Sequence, residues 1–296
     1  MNITIVRRNI ATPLFIFAFL FVSNAQNIDK KQIKSETIWQ YKIVARTVET
    51  DGKKISLTKY NTDEKIVEQI SYKPDGSILQ KTILEYDLKG NLKESLTTSD
   101  EKSLNQKMVY IYDNNDLVTE AVLYGPDESV KVKVENKFDV NKRLVEMFSY
   151  SPNEQVSVKI INKYDADGNT IESIGYDTEG KVITKANYIY EEDRYKIEIV
   201  GNTMDITPIR SESYDSDGNR TEEIIFNADG KITSRTSYKY NALGKIIEVI
   251  SEVPSANMKN TTRYSYDDDG NLIEQTSYNK LDEPVELIRV VREYYY

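Results

Sequence analysis

Short runs of alternating apolar and polar residues follow one another along the chain from about residue 39 onward. Val, Ile, Thr and Tyr are frequent within the runs, and Asp, Asn and Gly separate them. A period of two with β-branched and aromatic residues is typical of strands and not of amphipathic helices. The pattern therefore predicts an all-β protein built from short strands.

The runs form a repeat that begins with an aromatic residue, which we number position 0 of each unit. These residues are 26 apart at every step except Tyr190 to Tyr214, which is 24, and a glutamate stands at position 8 of every unit. The aromatic column is Tyr60, Tyr86, Tyr112, Phe138, Tyr164, Tyr190, Tyr214, Tyr240 and Tyr266. The glutamate column is Glu68, Glu94, Glu120, Glu146, Glu172, Glu198, Glu222, Glu248 and Glu274. A fixed period indicates a repeat architecture in which each unit packs on its neighbours.

Each unit contains two turn sequences about thirteen residues apart, such as Asp165 to Asn169 and Asp177 to Gly180. They fit a type I turn followed by a glycine with positive φ, the usual three-residue hairpin connection, so each unit is predicted to be one β-hairpin. In four units another residue replaces the glycine: Glu64, Asp116, Lys142 and Arg194. Asp tolerates positive φ, whereas the other three predict strain or a different turn.

The units predict one long, curled antiparallel sheet, a β-solenoid or partial shell. Nine clear units start at residues 60, 86, 112, 138, 164, 190, 214, 240 and 266, after a degenerate first hairpin at 39–59. In that hairpin, residues 50–53 are the predicted turn and Trp39 is the predicted cap over the open end. The chain is expected to finish in an edge strand at 294–296. So many strands exceed the roughly ten that open twisted sheets usually hold, so the sheet must curl.

Positions 6, 10, 12, 18 and 22 are largely apolar and predict one apolar face of the sheet. A basic column at position 21 is expected on the opposite face: Lys81, Lys107, Lys133, Lys159, Lys185 and Arg235. Three-residue turns would place each glutamate opposite position 24 of the preceding unit. Hydrogen-bond donors stand there in most units, namely Tyr110, Asn136, Asn162, Tyr188, Tyr238 and Tyr264. Nine equivalent carboxylates do not suit one active site. The glutamate column and the aromatic column are therefore predicted to be structural ladders.

The N-terminus predicts export. Residues 1–25 have the form of a secretory signal peptide, with Arg7 and Arg8 before a short apolar core and cleavage between Ala25 and Gln26. A polar leader at 26–35 and a single repeat domain at 36–296 are expected to follow. The protein is therefore expected in the periplasm, at the cell surface or outside the cell, with no membrane span once the signal is removed.

The amino-acid composition excludes several kinds of catalytic and binding site. The chain has no Cys and no His, which excludes disulfides and the common nucleophile–histidine arrangements, and its net charge of −9 argues against nucleic-acid binding. The short Asp-rich turns supply too few oxygens for a typical calcium loop. No catalytic, cofactor-binding or metal-binding residue is predicted. An enzyme would need a non-repeated constellation, and only the irregular stretch Tyr190 to Ser213, with Asp193, Arg194 and Glu198, offers room for one.

The Tyr-Asp-x-x-Gly-Asn unit, clearest from Tyr164 to Glu172 and from Tyr266 to Glu274, resembles the YD repeat of the RHS (rearrangement hotspot) family. The resemblance covers about residues 40–296. Members of that family build β-shells around a toxic C-terminal domain, or form surface adhesion modules. This chain ends within its repeats and contains no Asp-Pro pair, so the resemblance implies the fold and an extracytoplasmic setting rather than toxin delivery.

Three functional hypotheses follow. The first is a non-enzymatic exported scaffold that binds a protein or glycan partner at the cell envelope or surface. The second is a partial RHS-like shell or accessory that encloses or shields a separate toxin or partner. The third is a carbohydrate-active enzyme that uses Glu and Tyr.

Overall fold

The computed structural model describes residues 32–191, 194–200, 208–227 and 229–295, with the backbone alone at 191, 194–200 and 208–209. The predicted signal peptide and most of the predicted leader lie outside the described residues. Within the described part, the chain is all strands and turns, apart from two short 3-10 turns at Lys102–Leu104 and Pro254–Ala256. No helix in these ranges has the length and hydropathy of a membrane-spanning segment.

The strands follow one another with the predicted period. Their bounds are β1 (Ile33–Val44), β2 (Thr47–Val48), β3 (Lys53–Tyr60), β4 (Ile66–Tyr72), β5 (Ile78–Tyr86), β6 (Leu92–Ser99), β7 (Gln106–Tyr112), β8 (Val118–Tyr124), β9 (Val130–Phe138), β10 (Leu144–Tyr150), β11 (Val156–Tyr164), β12 (Thr170–Tyr176), β13 (Val182–Glu191), β14 (Arg194–Val200), β15 (Pro208–Tyr214), β16 (Arg220–Phe226), β17 (Ile232–Tyr240), β18 (Ile246–Val253), β19 (Met258–Tyr266), β20 (Leu272–Tyr278) and β21 (Pro284–Tyr294). Strand β1 begins slightly earlier than the boundary predicted between leader and domain. The all-β, hairpin-repeat prediction is confirmed.

All the strands belong to one antiparallel sheet, in which consecutive strands are neighbours. Strand β2 is a two-residue ribbon on the end of β1. Strand β1 pairs with β3 on one side and with β21 on the other, so the last strand is not the edge strand that we predicted. We call the β1–β21 pair the seam. Trp39 lies in β1 between Arg289 and Lys54, so its predicted role as an end cap is wrong.

The turns have the predicted geometry. In the turn at 87–91, the amide of Gly90 donates to the carbonyl of Asp87 and the amide of Asp87 donates to the carbonyl of Asn91, as in a three-residue hairpin loop. The carboxylate of Asp87 also accepts from the amides of Lys89 and Asn91, which explains the preference for Asp or Asn at this place.

The substitutes for glycine keep the same turn. Glu64, Asp116 and Lys142 adopt positive φ of 58°, 61° and 64°, so two non-glycine, non-Asp residues carry the strain that the sequence predicted. Arg194 follows the second alternative, a different turn, because this residue already lies in β14 and pairs with Glu191.

A second irregularity beyond each turn sets the register. In β6, Leu92 pairs with Tyr86 but Glu94 pairs with Glu85, so Lys93 is a β-bulge. The bulge shifts the pairing by one residue, so the position-8 glutamates of the 26-residue units face position 25 of the preceding unit, except Glu198, which faces Asn187; Glu222, which follows the short unit, faces Ser213. Glu146 faces Lys137, for example, and the predicted partner Asn136 faces Met147. The predicted position-24 partners are therefore wrong by one residue.

The register gives the sheet two chemically different faces. Residues that pair across strands share a face, so positions 8, 10, 12, 21, 23 and 25 lie together, as Ile70 opposite Lys81 shows. We call this the charged face. Positions 9, 11, 22 and 24 form the other side, which we call the neutral face; Gln69 opposite Thr82 is an example. The prediction that the position-21 basic column lies opposite the apolar stripe is wrong, and apolar residues are divided between the two faces.

The core is thin, because the sheet is a single layer. The most buried of the described apolar residues keep 3 to 8% of their surface exposed, and they are Ile70, Val122, Met147, Ile160, Tyr214 and Leu287. Most other apolar side chains are half-buried against strand neighbours on the same face. Lateral packing and side-chain ladders must therefore hold the sheet together.

Candidate functional site

The position-8 glutamates form an ion-pair ladder on the charged face. Glu146 lies 3.1 Å from Lys137 on the preceding strand and 2.9 Å from Lys159 on the following strand. Other units repeat this arrangement: Glu68 pairs with Lys59 and Lys81, Glu172 with Lys163 and Lys185, and Glu248 with Lys239 and Arg263. Glu120, Glu222 and Glu274 each pair with one basic residue of the following strand. One acid thus ties three strands together.

Two lysines each keep the carboxylates of Glu146 and Glu172 ionised. Hydrogen bonds from Lys159 and Lys137 hold the pKa of Glu146 below its ordinary value, and those from Lys163 and Lys185 do the same for Glu172. An ionised, doubly paired carboxylate is a poor general acid, because it has no proton to give near neutral pH. Glu94 is an exception in the ladder, since it faces Glu85.

Aromatic side chains accompany the basic residues on the charged face. The Lys107 ammonium lies 5.1 Å from the ring centre of Tyr124, which it faces across β7 and β8. The Arg263 guanidinium lies 4.3 Å from the ring centre of Tyr278. Such cation–π contacts add modest stability at exposed positions.

The aromatic column forms a second ladder. The hydroxyl of Tyr112 donates to the carbonyl of Leu92, twenty residues earlier, at 2.8 Å. Tyr86, Tyr164, Tyr190, Tyr240 and Tyr266 donate in the same way, at 2.6 to 2.7 Å. The pairing of β6 with β7 begins at Glu94, so the Tyr112 hydroxyl binds the Leu92 carbonyl just outside this register. Burial raises the pKa of Tyr112 and keeps the hydroxyl protonated.

In the unit whose aromatic residue is a phenylalanine, a neighbouring asparagine supplies the missing hydrogen bond. Phe138 occupies the aromatic column, and the amide Nδ2 of Asn136 donates to the carbonyl of Val118 at 2.9 Å, which is the carbonyl that a tyrosine there would reach. In the next unit, the carbonyl of Leu144 accepts from both Tyr164 and Asn162. Position 24 therefore supports the tyrosine ladder instead of the glutamate ladder to which we assigned it.

One charged cluster departs from the repeat, on the otherwise neutral face of β15 and β16. Arg220 Nη1 lies 2.8 Å from Glu212 Oε1 and 2.9 Å from Glu223 Oε2, and Nη2 donates to the Tyr238 hydroxyl at 2.7 Å. Arg210 pairs with Glu212 and lies 3.2 Å from Glu223. We call Arg210, Glu212, Arg220 and Glu223 the β15–β16 cluster.

Glu212 is the most buried acid of this cluster, with 5% of its surface exposed. Burial raises its pKa, but the hydrogen bond from Tyr214 and the two guanidinium groups outweigh burial and hold the pKa below its ordinary value. Two acids and two arginines balance in charge, so the cluster is arranged as a closed ion-pair network. Our sequence reasoning missed it, although Glu212 and Arg220 both break their columns, where Asn162 and Leu144 are typical.

The seam carries further charged contacts on the neutral face. Arg292 Nε donates to Glu36 at 2.6 Å, and the hydroxyl of Tyr60 donates to the second oxygen of the same carboxylate at 2.7 Å. The Arg292 side chain is 8% exposed. The hydroxyl of Tyr295 completes the tyrosine ladder by donating to the carbonyl of Tyr60 at 2.6 Å.

The irregular stretch that the sequence offered for an enzyme is only partly described. Asp193 lies outside the described residues, and only the backbone is described for Arg194 and Glu198, which both lie in β14. Within the described ranges, no group of three or more acidic residues is arranged to hold a metal ion.

Comparisons with family models find two partial matches. A family described as "Uncharacterised protein" matches residues 160–283, and "Protein of unknown function (DUF2963)" matches residues 49–97. Neither covers half of the chain. No curated protein matches the sequence.

Several solved structures are similar at low identity. The crystal structure of TcdB2-TccC3 without its hypervariable C-terminal region is 15% identical, with a TM-score of 0.38, over 86% of this chain and 15% of that one. A porin-like protein from Bacteroides uniformis is 9% identical, with a TM-score of 0.37, over 89% and 98% of the two chains. Another from Bacteroides vulgatus is 8% identical, with a TM-score of 0.30. The chain resembles both groups of β-sheet proteins only distantly.

Proposed function

We propose that the protein is an exported, non-enzymatic scaffold that binds a protein or glycan partner at the cell envelope or surface. The observation that carries this proposal is the charged face, which presents similar Glu, basic and aromatic groups in most of the described hairpins. One hairpin is two strands wide, so the groups recur about every 9.6 Å across the sheet. A surface of this kind suits many weak contacts with an extended or repetitive partner, whose combined strength exceeds that of any one contact.

The chemistry of the repeated acids favours binding over catalysis. Glu146 and Glu172 are held ionised by two lysines each, and their environment is nearly the same from unit to unit. Catalysis by paired carboxylates instead requires two acids whose pKa values differ.

Site-specific photo-crosslinking tests this proposal. A photoreactive phenylalanine analogue would replace Tyr124 on the charged face or, as a matched control, Tyr264 on the neutral face, because each tyrosine is half-buried in a regular unit. Purified variants would be irradiated with envelope extracts of the source cells and with defined glycans. We expect one defined adduct from the Tyr124 variant only, and none of the glycans should be cleaved. Glycan cleavage without any adduct would contradict the proposal.

A second candidate is the RHS-like shell, favoured by the seam. The seam joins the first strand to the last, so a partner that the sheet enclosed would contact a single face, which this candidate takes to be the neutral face. In that case, the Tyr264 variant would form the adduct and the Tyr124 variant would not.

Export is tested separately. Production of the chain from Met1 in a bacterial host should yield a protein whose mass has lost residues 1–25, with Gln26 as its new N-terminus. An uncleaved protein in the cytoplasmic fraction would contradict export.

A further inference from the structure

The seam differs from every other described strand pair in its connection. All other pairs of the sheet join strands that follow each other in sequence or share one hairpin region, whereas β1 and β21 lie at opposite ends of the described chain. Ser35 and Glu293, for example, are 258 residues apart and hydrogen-bond across the seam. No turn holds these two strands together.

This arrangement makes the seam the last pair to form. Local hairpins close quickly, whereas pairing of distant segments must wait for the strands between them to order. The state before closure is an open sheet that presents β1 along one edge and β21 along the other. Long unpaired edges are templates for pairing with another chain.

The two edges are complementary to each other in detail. Residues from Ile33 to Lys42 pair with residues from Glu286 to Tyr294 in one continuous register after a single bulge. Arg292 meets Glu36, and Gln40 meets Glu286. Any other pairing of β21 would leave the Arg292 guanidinium, which is 8% exposed, without its carboxylate, at a cost in stability.

We propose that the seam is a strand-exchange interface whose partner is a second copy of this chain. Strand β21 of one open copy pairs with β1 of the other, and the reciprocal pair closes a dimer. Every contact of the seam is remade between copies, so exchange costs few contacts and is governed by protein concentration. This inference concerns assembly and does not depend on the proposed binding function.

Engineered disulfides test the proposal in the full chain, which has no cysteine of its own. Thr37→Cys with Val291→Cys places two thiols on facing residues of the seam. Ile83→Cys with Leu96→Cys is the control, because these residues face each other within an ordinary hairpin, where a bond leaves the seam free to open. Facing residues of neighbouring strands have the Cα separation that a disulfide requires.

Each chain would be unfolded in urea and refolded at low and at high concentration, and its mass measured by size-exclusion chromatography with light scattering. We expect the original chain and the oxidised control to form dimers at high concentration. The seam variant should remain monomeric when it is oxidised within one chain before concentration, and it should dimerise once reduced. In the seam variant refolded at high concentration and then oxidised, the disulfide should link two chains.

Three results would overturn the proposal. Dimers of the seam-locked chain would place the contact elsewhere. Monomers of the original chain at every concentration would show that no exchange occurs. Absence of any disulfide in the seam variant, within or between chains, would show that β1 and β21 are not neighbours.

Discussion

Removal of one hydroxyl from the tyrosine ladder should cost different amounts in different units. In Tyr112→Phe, the carbonyl of Leu92 loses the side-chain donor that lies 2.8 Å away. In Tyr164→Phe, the carbonyl of Leu144 keeps the Asn162 amide at 2.9 Å. Phe138 shows that the column accepts a phenylalanine ring without a change of fold. The two substitutions therefore differ mainly in whether a second side-chain donor still binds the carbonyl.

The expected magnitudes follow from the cost of hydrogen bonds. A net intramolecular hydrogen bond contributes about 0.5 to 1.5 kcal/mol, and a partly buried acceptor left without a partner costs about 1 to 3 kcal/mol. We expect Tyr112→Phe to lower the free energy of unfolding by about 2 kcal/mol and Tyr164→Phe by about 0.5 to 1 kcal/mol. For a domain of this size, the difference corresponds to about 2 to 4 °C in Tm.

Urea denaturation followed by circular dichroism measures both variants, with unchanged slopes as the check that one transition is compared. Addition of Asn162→Ala to Tyr164→Phe removes the second donor, so the double variant should lose more than the sum of the two single losses. Equal losses for Tyr112→Phe and Tyr164→Phe, together with additive losses in the double variant, would refute the assignment of the hydroxyls as carbonyl caps.

Three further predictions concern the ion pairs, the turns and the β15–β16 cluster. The pKa of Glu146 is lowered in the folded state, so its stabilisation is present above the unfolded pKa and is lost as pH falls through the folded one; Glu146→Gln should flatten the fall in urea midpoint below about pH 4.5. Lys142→Gly should raise the Tm, because Lys142 has a φ of 64°, whereas Lys142→Ala should not. Glu212→Asn should cost about 3 kcal/mol, because two half-buried arginines then share the single carboxylate of Glu223, and the added change Arg220→Leu, which leaves one arginine for one acid, should recover most of that loss in urea denaturation.

The hairpin units could be predicted from the sequence, but the register between neighbouring strands could not. Asp, Asn and Gly mark the turn at 87–91 because only a few residues suit its dihedral angles, so the hairpins could be predicted. The bulge at Lys93 has no comparable signature, because Lys, Thr, Val and Ile all occupy this position in different units. A shift of one residue moves each side chain to the other face, and this is why the partners of the glutamate column and the face of the basic column were wrong.

The long-range contacts could not be predicted from the sequence either. Local alternation says nothing about which strand lies beside β1, so the seam and the position of Trp39 could not be derived from it. The β15–β16 cluster was accessible in part: Glu212 and Arg220 are charged where their columns are neutral, and two opposite departures in adjacent strands indicate a compensating pair. The short unit before them drew attention to Tyr190 to Ser213 instead.

The separation between seam and units has a consequence for how such proteins change in size. In the described part of the chain, each hairpin packs mainly on its neighbours along the sheet, whereas β1 and β21 have to recognise each other from opposite ends. Duplication or loss of one 26-residue unit in the interior would leave both terminal strands and every remaining turn intact. Gene-level gain or loss of units would then alter the girth of the molecule in regular steps without any need to redesign the ends.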